Sequence, residues 1–550
     1  MKIGTVHRIT GVHPLLNGTG AAIWLSDLKT SDLLRTQSAL QRGLSALGWN
    51  SLVRRYVRYD ETVLVVDAPT DQLYTACELL EWATGVDPNE LEFQSVLAFQ
   101  QKERVPHWQA VKGWALANGL PVFDCEDEIT LGMGRWSHTF PVREIPSIEV
   151  LKNNDIRAIP SVYITGTNGK TTTARMLAQM ARAAGYCDGL TSSDGVMIRG
   201  EWKERGDWTG AGAARMVLRD QTVDFAVLET ARGGLMRRGL VLDTVDTAIV
   251  TNVSDDHLGA WGIRNSDDMA EVKLAVGFGV KLGGSLILNA ESTVLRQAYQ
   301  RLQFRLKGRR LLWFSSRQRT NMDAWFARDR LWLQVNDEPQ AVVHVNEVPM
   351  LMGGAAMHNV ENALAAICAG HQLGLSVDSM AAGLRHMRPN ATHSRGRSNI
   401  FKIGGATVLV DFAHNPDGMR RVFELVSAFP AQRKMLMFGQ ASDRSLPLLE
   451  ELAYQAASLN ADRYYLKELP SYSYGVSARH VPEILKAGLM HKGISLEHIE
   501  LGGTEVEITQ KVLSDVRDGD LLVLLSHAHI DAVVDLVQEA VDRFERLAVQ

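Results

Sequence analysis

The chain has 550 residues, 45% of them hydrophobic, and a net charge of −5 with acids and bases mixed along its length. At about 150 residues per domain this predicts three or four domains, each with a core of its own, and the lack of a basic field argues against a nucleic-acid partner. The four cysteines, Cys77, Cys125, Cys187 and Cys368, form no C-x-x-C pair and no apolar run approaches a membrane span, so a cytoplasmic enzyme with reduced thiols and no membrane partner is expected.

Residues 1–155 alternate strand and helix patterns (AAIWLSDL, LLRTQSALQRGLSALGW, ETVLVVDAP, DQLYTACELLEWATG) and carry no nucleotide motif. They are predicted to form an N-terminal α+β domain with an accessory or substrate-binding role. The next segment, SVYITGTNGKTTT from Ser161 to Thr173, carries the strongest chemical signal. Val162, Tyr163 and Ile164 favour a buried strand. Gly166 and Gly169 permit backbone angles and close approaches that a side chain blocks, and Thr167 and Asn168 complete the turn. The helix that follows, from Thr171 or Thr172, aims its positive end at the loop. Lys170 then supplies a mobile charge for β- and γ-phosphates, and the Thr171 hydroxyl is placed for Mg²⁺. Where the usual phosphate loop has a further glycine this chain has Ile164, so the match is to the shorter form G-T-N-G-K-T.

From Ser161 to about His386 strand and helix continue to alternate, which predicts a central, mostly parallel sheet with helices on both faces over residues 156–390. Ligands of such a sheet gather at its strand ends. One strand, AVLE, ends in Glu229, a candidate for Mg²⁺, and the turn TARGGLMRRG brings Arg232, Arg237 and Arg238 for anionic oxygens. Another, TAIVTNV, delivers Thr251 and Asn252, with Asp255, Asp256 and His257 beyond as a possible second metal cluster. Trp202 and Trp208 are read as packing residues rather than substrate platforms. A polar linker, Arg388 to Asn399, precedes a third α/β region, residues 391–550, with a Rossmann-like alternation. There SHAHID (Ser526–Asp531) has a His-x-His spacing but no evident third or fourth zinc ligand, so a loop at a strand end is expected.

TGTNGKTTT, the glutamate at the end of the next strand, TNVSDDH, MHNVENALAA, Gly396-Arg397 and DFAHNP occur in that order. Together they resemble the Mur ligase family of ATP-dependent amide-forming enzymes and folylpolyglutamate synthetase. The similarity is greatest to the Mur-like half of the cyanophycin synthetase branch, in SSDGVMIRGEWKERGDWTGAGAARMVLRD and LETARGGLMRRGL. About 160 residues precede the phosphate loop, too few for an accessory domain plus the ATP-grasp unit of that branch. One ATP site then implies one ligation.

The resemblance implies ATP and Mg²⁺ as cofactors and amino acids or short peptides, of the aspartate and arginine kind, as substrates. A carboxylate is phosphorylated to an acyl phosphate, which an amine attacks; a hinge at residues 388–399 would close the last domain over the nucleotide and exclude water. Arg397 and Asp411 would reach the nucleotide, Asn362 the adenine, and His414 the incoming substrate. Lys273 lies where many Mur ligases carry a carbamoylated lysine; a solvent-facing helix lysine is the plain alternative. Lys467 and Glu468 are read as a pair. Self-association is left open. The competing reading is a non-catalytic ATP-binding paralogue that regulates a related ligase. A GTPase is disfavoured, because no N-K-x-D base reader occurs.

Overall fold

Thr19–Ser26 (TGAAIWLS) and Glu61–Asp67 (ETVLVVD) are apolar on both faces, and each is a central strand of a four-stranded antiparallel sheet. Lys2–Thr10 and Val53–Arg58 are its edges. The helices Thr30–Ala46 and Leu73–Thr84 cover one face, closing a core of Ile23, Leu25, Leu40, Leu44, Leu64, Leu79 and Leu80. On the other face Trp24 meets Trp261 edge to face at 5.2 Å, with His7 tilted against the same ring at 4.6 Å. Burial on both sides is unusual for an antiparallel sheet, which commonly leaves one face wet. Residues 106–151 add a helix, Pro106–Ala117, and a three-stranded antiparallel sheet around Trp108, Val111, Ile129 and Leu131.

The computed structural model describes residues 1–85, 88–125, 127–255, 261–317, 320–390, 394–473 and 477–548. They divide into two compact units. The first comprises Met1–Val253, Gly259–Ala324 and Ala365–Met380, and the second Ser254–Leu258, Trp325–Leu364 and Ala381–Gln550.

The first unit contains the predicted parallel sheet. Its strands run in the order Glu201–Arg205, Gly195–Ile198, Asp188–Ser192, Phe225–Glu229, Ser161–Thr165, Val245–Val250, Val280–Asn289 and Arg310–Ser315. From Asp188–Ser192 to Arg310–Ser315 every neighbour is parallel, and the first two strands are an antiparallel extension. Ser161–Thr165 sits between Phe225–Glu229 and Val245–Val250, so its end, and the loop beyond, are flanked by Glu229 and by Thr251. The helix Lys170–Ala183 buries Ala174, Met176, Leu177, Met180 and Ala181 as its spacing predicts. Each large apolar side chain so buried is worth about 1.5–3 kcal/mol.

Residues 1–155 share this unit with the parallel sheet. The loop after the first strand is latched onto the segment that follows Glu229. Leu240 N donates to Val12 O at 2.8 Å, Thr10 Oγ1 to Arg238 O at 3.1 Å, and the buried His13 Nε2 lies 3.0 Å from Met236 O. A Cβ on Gly11 would sit 2.1 Å from Leu240 O, so only glycine allows the two backbones to approach this closely.

The second unit is built on a six-stranded sheet in the order Asn399–Ile403, Ala406–Asp411, Asp520–Leu525, Arg433–Phe438, Arg463–Leu466 and Ile499–Leu501. The first pair is antiparallel and the rest parallel. The helices Pro416–Val426, Leu446–Ala457 and His480–His491 pack on one face, and Glu505–Ser514 and Ile530–Ala548 on the other. The mixed α/β class expected from the alternation is thus the architecture observed. Among the described residues no helix is long and apolar enough to cross a membrane.

Candidate active site

The phosphate loop is shaped by the strand ends beside it. Gly166 has φ +152° and a Cβ there would lie 1.9 Å from Thr251 Oγ1; Gly169 adopts φ +84° and caps the helix. Thr251 Oγ1 donates to Asn168 O at 2.7 Å, and Asn252 grips both sides of the loop, accepting from Asn168 N at 2.8 Å and donating to Asn168 O at 2.9 Å. Thr167 N donates to Asn252 O at 2.9 Å. The TN of TNV, read as the edge of a metal cluster, is therefore a strap for the loop. Lys170 Nζ, half-buried, donates to Thr167 O at 2.9 Å, folded back over its own loop.

Thr171 Oγ1 lies 2.8 Å from Glu229 Oε2 and 3.0 Å from Ser193 Oγ. Thr172 is buried in the same turn, and Glu229 is buried too. Ser193, which also donates its N–H to Glu229 at 3.4 Å, lies in the SSDGVMIRG stretch that carries the resemblance, yet nothing local singled it out as a site residue. A hydroxyl and a carboxylate at the mouth of a phosphate loop fit Mg²⁺, a hard ion that takes a few protein oxygens and completes its shell with water and phosphate. Among the described residues no three His, Cys, Asp or Glu side chains cluster for a metal. Asp255 is exposed, and Asp256 and His257 lie outside the described residues.

Lys273 is buried on the helix Ser266–Leu274, and its Nζ donates to Gly166 O at 2.8 Å. The solvent-facing alternative is therefore wrong: the side chain runs under the phosphate loop. Arg232 and Arg238 are half-buried and Arg237 is exposed, all on the short helix Arg232–Arg238 after Glu229. Trp202 packs with Arg205, whose guanidinium stands 4.1 Å from the ring centroid, and Trp208 Nε1 donates to Arg205 O at 3.2 Å.

The other expected residues are in the second unit. The Gly396-Arg397 turn is held by the buried Asn399, whose Oδ1 accepts from Gly396 N at 2.7 Å and whose Nδ2 donates to Ser394 O at 2.9 Å. Arg397 stands 4.1 Å over the Phe412 ring. Asp411 accepts from Ser398 N at 2.6 Å and Ala413 N at 2.7 Å. Burial raises its pKa above the ordinary carboxylate value against the pull of Arg397 and these donors. His358 Nε2 lies 3.2 Å from Ser398 Oγ, and burial, aided by Arg421, holds the imidazole down to about 3. Asn362 Nδ2 donates to Asn359 Oδ1 at 3.3 Å on the helix Met357–Gln372. His414 Nδ1 is 3.1 Å from Phe412 O.

One reading is corrected here. Lys467 pairs with Glu505 at 2.6 Å, both side chains fully buried, and Glu468 instead meets Arg479 at 3.0 Å. Sequence adjacency suggested the wrong pair because successive residues after a strand point to opposite sides. The SHAHID loop is a strand end as expected, since both ring nitrogens of His527 are engaged, by Lys467 Nζ and Ala413 O at 3.0 Å each.

With this geometry in hand, two family models match the chain: the Mur ligase middle domain over residues 164–370 and the Mur ligase glutamate ligase domain over residues 396–527. Among curated proteins, the cyanophycin synthetase of Crocosphaera subtropica is 33% identical over 380 residues, which is 68% of this chain and 43% of that protein. The cyanophycin synthetase of Synechocystis is 32% identical over 390 residues, or 69% and 44%. The chain thus spans less than half the length of these relatives. Among solved structures, a bifunctional folylpolyglutamate synthase/dihydrofolate synthase with Mn, AMPPNP and L-glutamate bound is 19% identical with a TM-score of 0.51, covering 69% of this chain and 89% of that one. E. coli FolC in complex with DHPP and ADP gives 18% and 0.50, with 70% and 89% covered. These last two likenesses speak to the fold.

Proposed function

The chain belongs to the Mur ligase family, and from that premise we propose that it is an ATP-dependent ligase that activates a carboxylate as an acyl phosphate and couples it to an amine. The observation that carries the reading is the 2.8 Å contact of Thr171 with Glu229 at the mouth of the strapped Gly166–Thr171 loop. A carboxylate is a poor electrophile, and moving a phosphoryl group onto it is largely a matter of placement and charge neutralisation.

In this reading the loop N–H groups and the start of the helix Lys170–Ala183 cradle the phosphates. Lys170 swings from Thr167 O to the β- and γ-phosphates. Thr171 and Glu229 would hold Mg²⁺, with His257 as a further ligand or catalytic group; the ion would supply charge neutralisation for the phosphate oxygens. Lys273 keeps Gly166 in place from below, and in carbamoylated form would add an anionic group there. Arg397 and Asp411 contact the nucleotide, Asn362 its base, and His414 the incoming amine. The acid and amine are amino acids or short peptides; the cyanophycin synthetase relatives favour aspartate and arginine types. Residues 1–155 serve as accessory or substrate-binding domain.

The test is ADP release from ATP and Mg²⁺ across pairs of acids and amines, with products read by mass spectrometry. Release that requires both an acid and an amine is the expected result. Hydrolysis indifferent to both would remove the ligase reading, and nucleotide binding without turnover on any pair would favour the non-catalytic regulatory paralogue instead.

A further inference from the structure

The roles proposed above leave three polar side chains of the second unit unused: the buried Lys467 and Glu505 and the half-buried His527. Glu505 opens the helix Glu505–Ser514, and its carboxylate accepts from His527 N at 2.6 Å, Ala528 N at 3.1 Å, His529 N at 2.7 Å and Ser526 Oγ at 2.7 Å, besides Lys467 Nζ at 2.6 Å. The row of N–H groups leading into the helix Ile530–Ala548 is a natural anion cradle, and here the anion is supplied from within. Burial alone would raise the Glu505 pKa; Lys467 and these donors hold it well below the usual carboxylate range. A buried ion pair of this kind is roughly neutral for stability, or worse, against an apolar substitute. What it holds in place is the more informative question.

Lys467 Nζ donates also to Leu525 O at 2.7 Å and lies 3.0 Å from His527 Nδ1. An ammonium has no lone pair, so Nδ1 accepts and the imidazole proton sits on Nε2. That nitrogen lies 3.0 Å from Ala413 O, while Ala413 N donates to Asp411 Oδ1 at 2.7 Å. One residue of the DFAHNP loop is thus gripped on both sides. The His527 ring also stands edge-on to Phe412 at 5.4 Å and to His414 at 5.9 Å. Lys467, Glu505 and His414 are the titratable groups facing His527, and burial together with the Lys467 charge keeps the imidazole neutral far below its ordinary pKa.

We propose that His527 is a positioning residue for the ligation, its Nε2–H tautomer fixed by the Lys467–Glu505 pair so that the Ala413 carbonyl, and with it Asp411 and His414, is held in one pose. The inference rests on the nucleotide and substrate roles proposed for those two residues.

The full-length chain labelled with ¹³C and ¹⁵N in histidine tests it by NMR, His527→Gln identifying the signal. A neutral Nε2–H imidazole that does not titrate between about pH 5 and 8 is expected, with the pKa rising in Lys467→Met while burial still holds it below the ordinary value of about 6.5. An Nδ1–H tautomer, or wild-type titration near that ordinary value, overturns the proposal, and this arm needs no turnover. Against an acid and amine pair that supports ADP release, His527→Gln, which keeps an N–H donor, should retain activity. His527→Leu should lose about tenfold in kcat/KM, the loss of one hydrogen bond in positioning. A leucine variant as fast as wild type also overturns it. Failure of the wild type on every pair instead counts against the ligase reading, while the NMR result still decides the tautomer.

Discussion

Lys273 and Gly166 are 107 residues apart in the chain, yet the lysine Nζ donates to the glycine carbonyl at 2.8 Å inside the protein. The loop that is to hold phosphate is thus braced from beneath by a cation. Lys273→Met keeps the length of the side chain and removes the donor, leaving a buried carbonyl with one partner fewer at a cost of about 1–3 kcal/mol. Calorimetric titration should show ADP affinity falling by roughly tenfold or more. An unchanged affinity would mean that the loop keeps its shape without this brace.

Gly166→Ala is expected to be more severe for binding than for folding. The new Cβ would meet Thr251 Oγ1 at 1.9 Å, at a φ of +152° that L-residues avoid. The loop must open away from the Thr251 strap to admit it. Binding of ADP should be lost while circular dichroism stays native; retention of wild-type affinity would contradict the geometry described.

Lys170→Ala should abolish ATP consumption, by at least about 10²–10³-fold, as removal of a charge-stabilising donor does elsewhere. Its side chain contacts the Thr167 carbonyl at the half-buried loop rather than the core, so the melting temperature should stay near that of wild type. Full turnover by this variant would remove the assigned phosphate site.

Arg397→Ala should weaken use of ATP, seen as a raised KM, with only a small change in melting temperature. The turn is held by Asn399 through backbone atoms, and the Arg397 side chain adds only its place over Phe412 and its charge near Asp411. A large drop in melting temperature would mark the arginine as structural.

Stability should fall as acid is added, starting near neutrality. Burial, opposed by the Met236 carbonyl, holds His13 down to about 4, and burial aided by Arg421 holds His358 down to about 3. In the unfolded chain both take up a proton near 6.5. Between that value and the folded values the unfolded state binds protons that the native state refuses, so stability is fully present above about 6.5 and declines as pH drops. His13 alone accounts for about 3 kcal/mol by pH 4. Urea melts of wild type and His13→Gln at pH 7, 5.5 and 4.5 check this: the variant should show the shallower decline, and identical slopes would exclude His13 as a source.

Legibility in the sequence followed the range of the interactions. Gly166, Gly169, Lys170 and Thr171 are close neighbours whose spacing encodes a loop and a helix start, and the structure forms both. Glu229 was readable as a strand-end carboxylate, because strand order in a parallel sheet brings such ends together. Nothing local reveals that Lys273 turns inward beneath Gly166, or that Lys467 bypasses its neighbour Glu468 to reach Glu505, 38 residues on. Ser193 and Asn399 were invisible for the same reason: a serine or asparagine gains its role only from what the fold places opposite.

The latch joining Thr10–His13 to Met236–Leu240 sets a timetable for biosynthesis. Thr10 and Arg238 are 228 residues apart, so the emerging four-stranded sheet waits roughly 10–50 s, at ordinary rates of synthesis, for the backbone that will cover its far side. During that interval Trp24 and its neighbours on that face lack their final cover, and nascent chains in this window are the ones most exposed to aggregation and most in need of a chaperone.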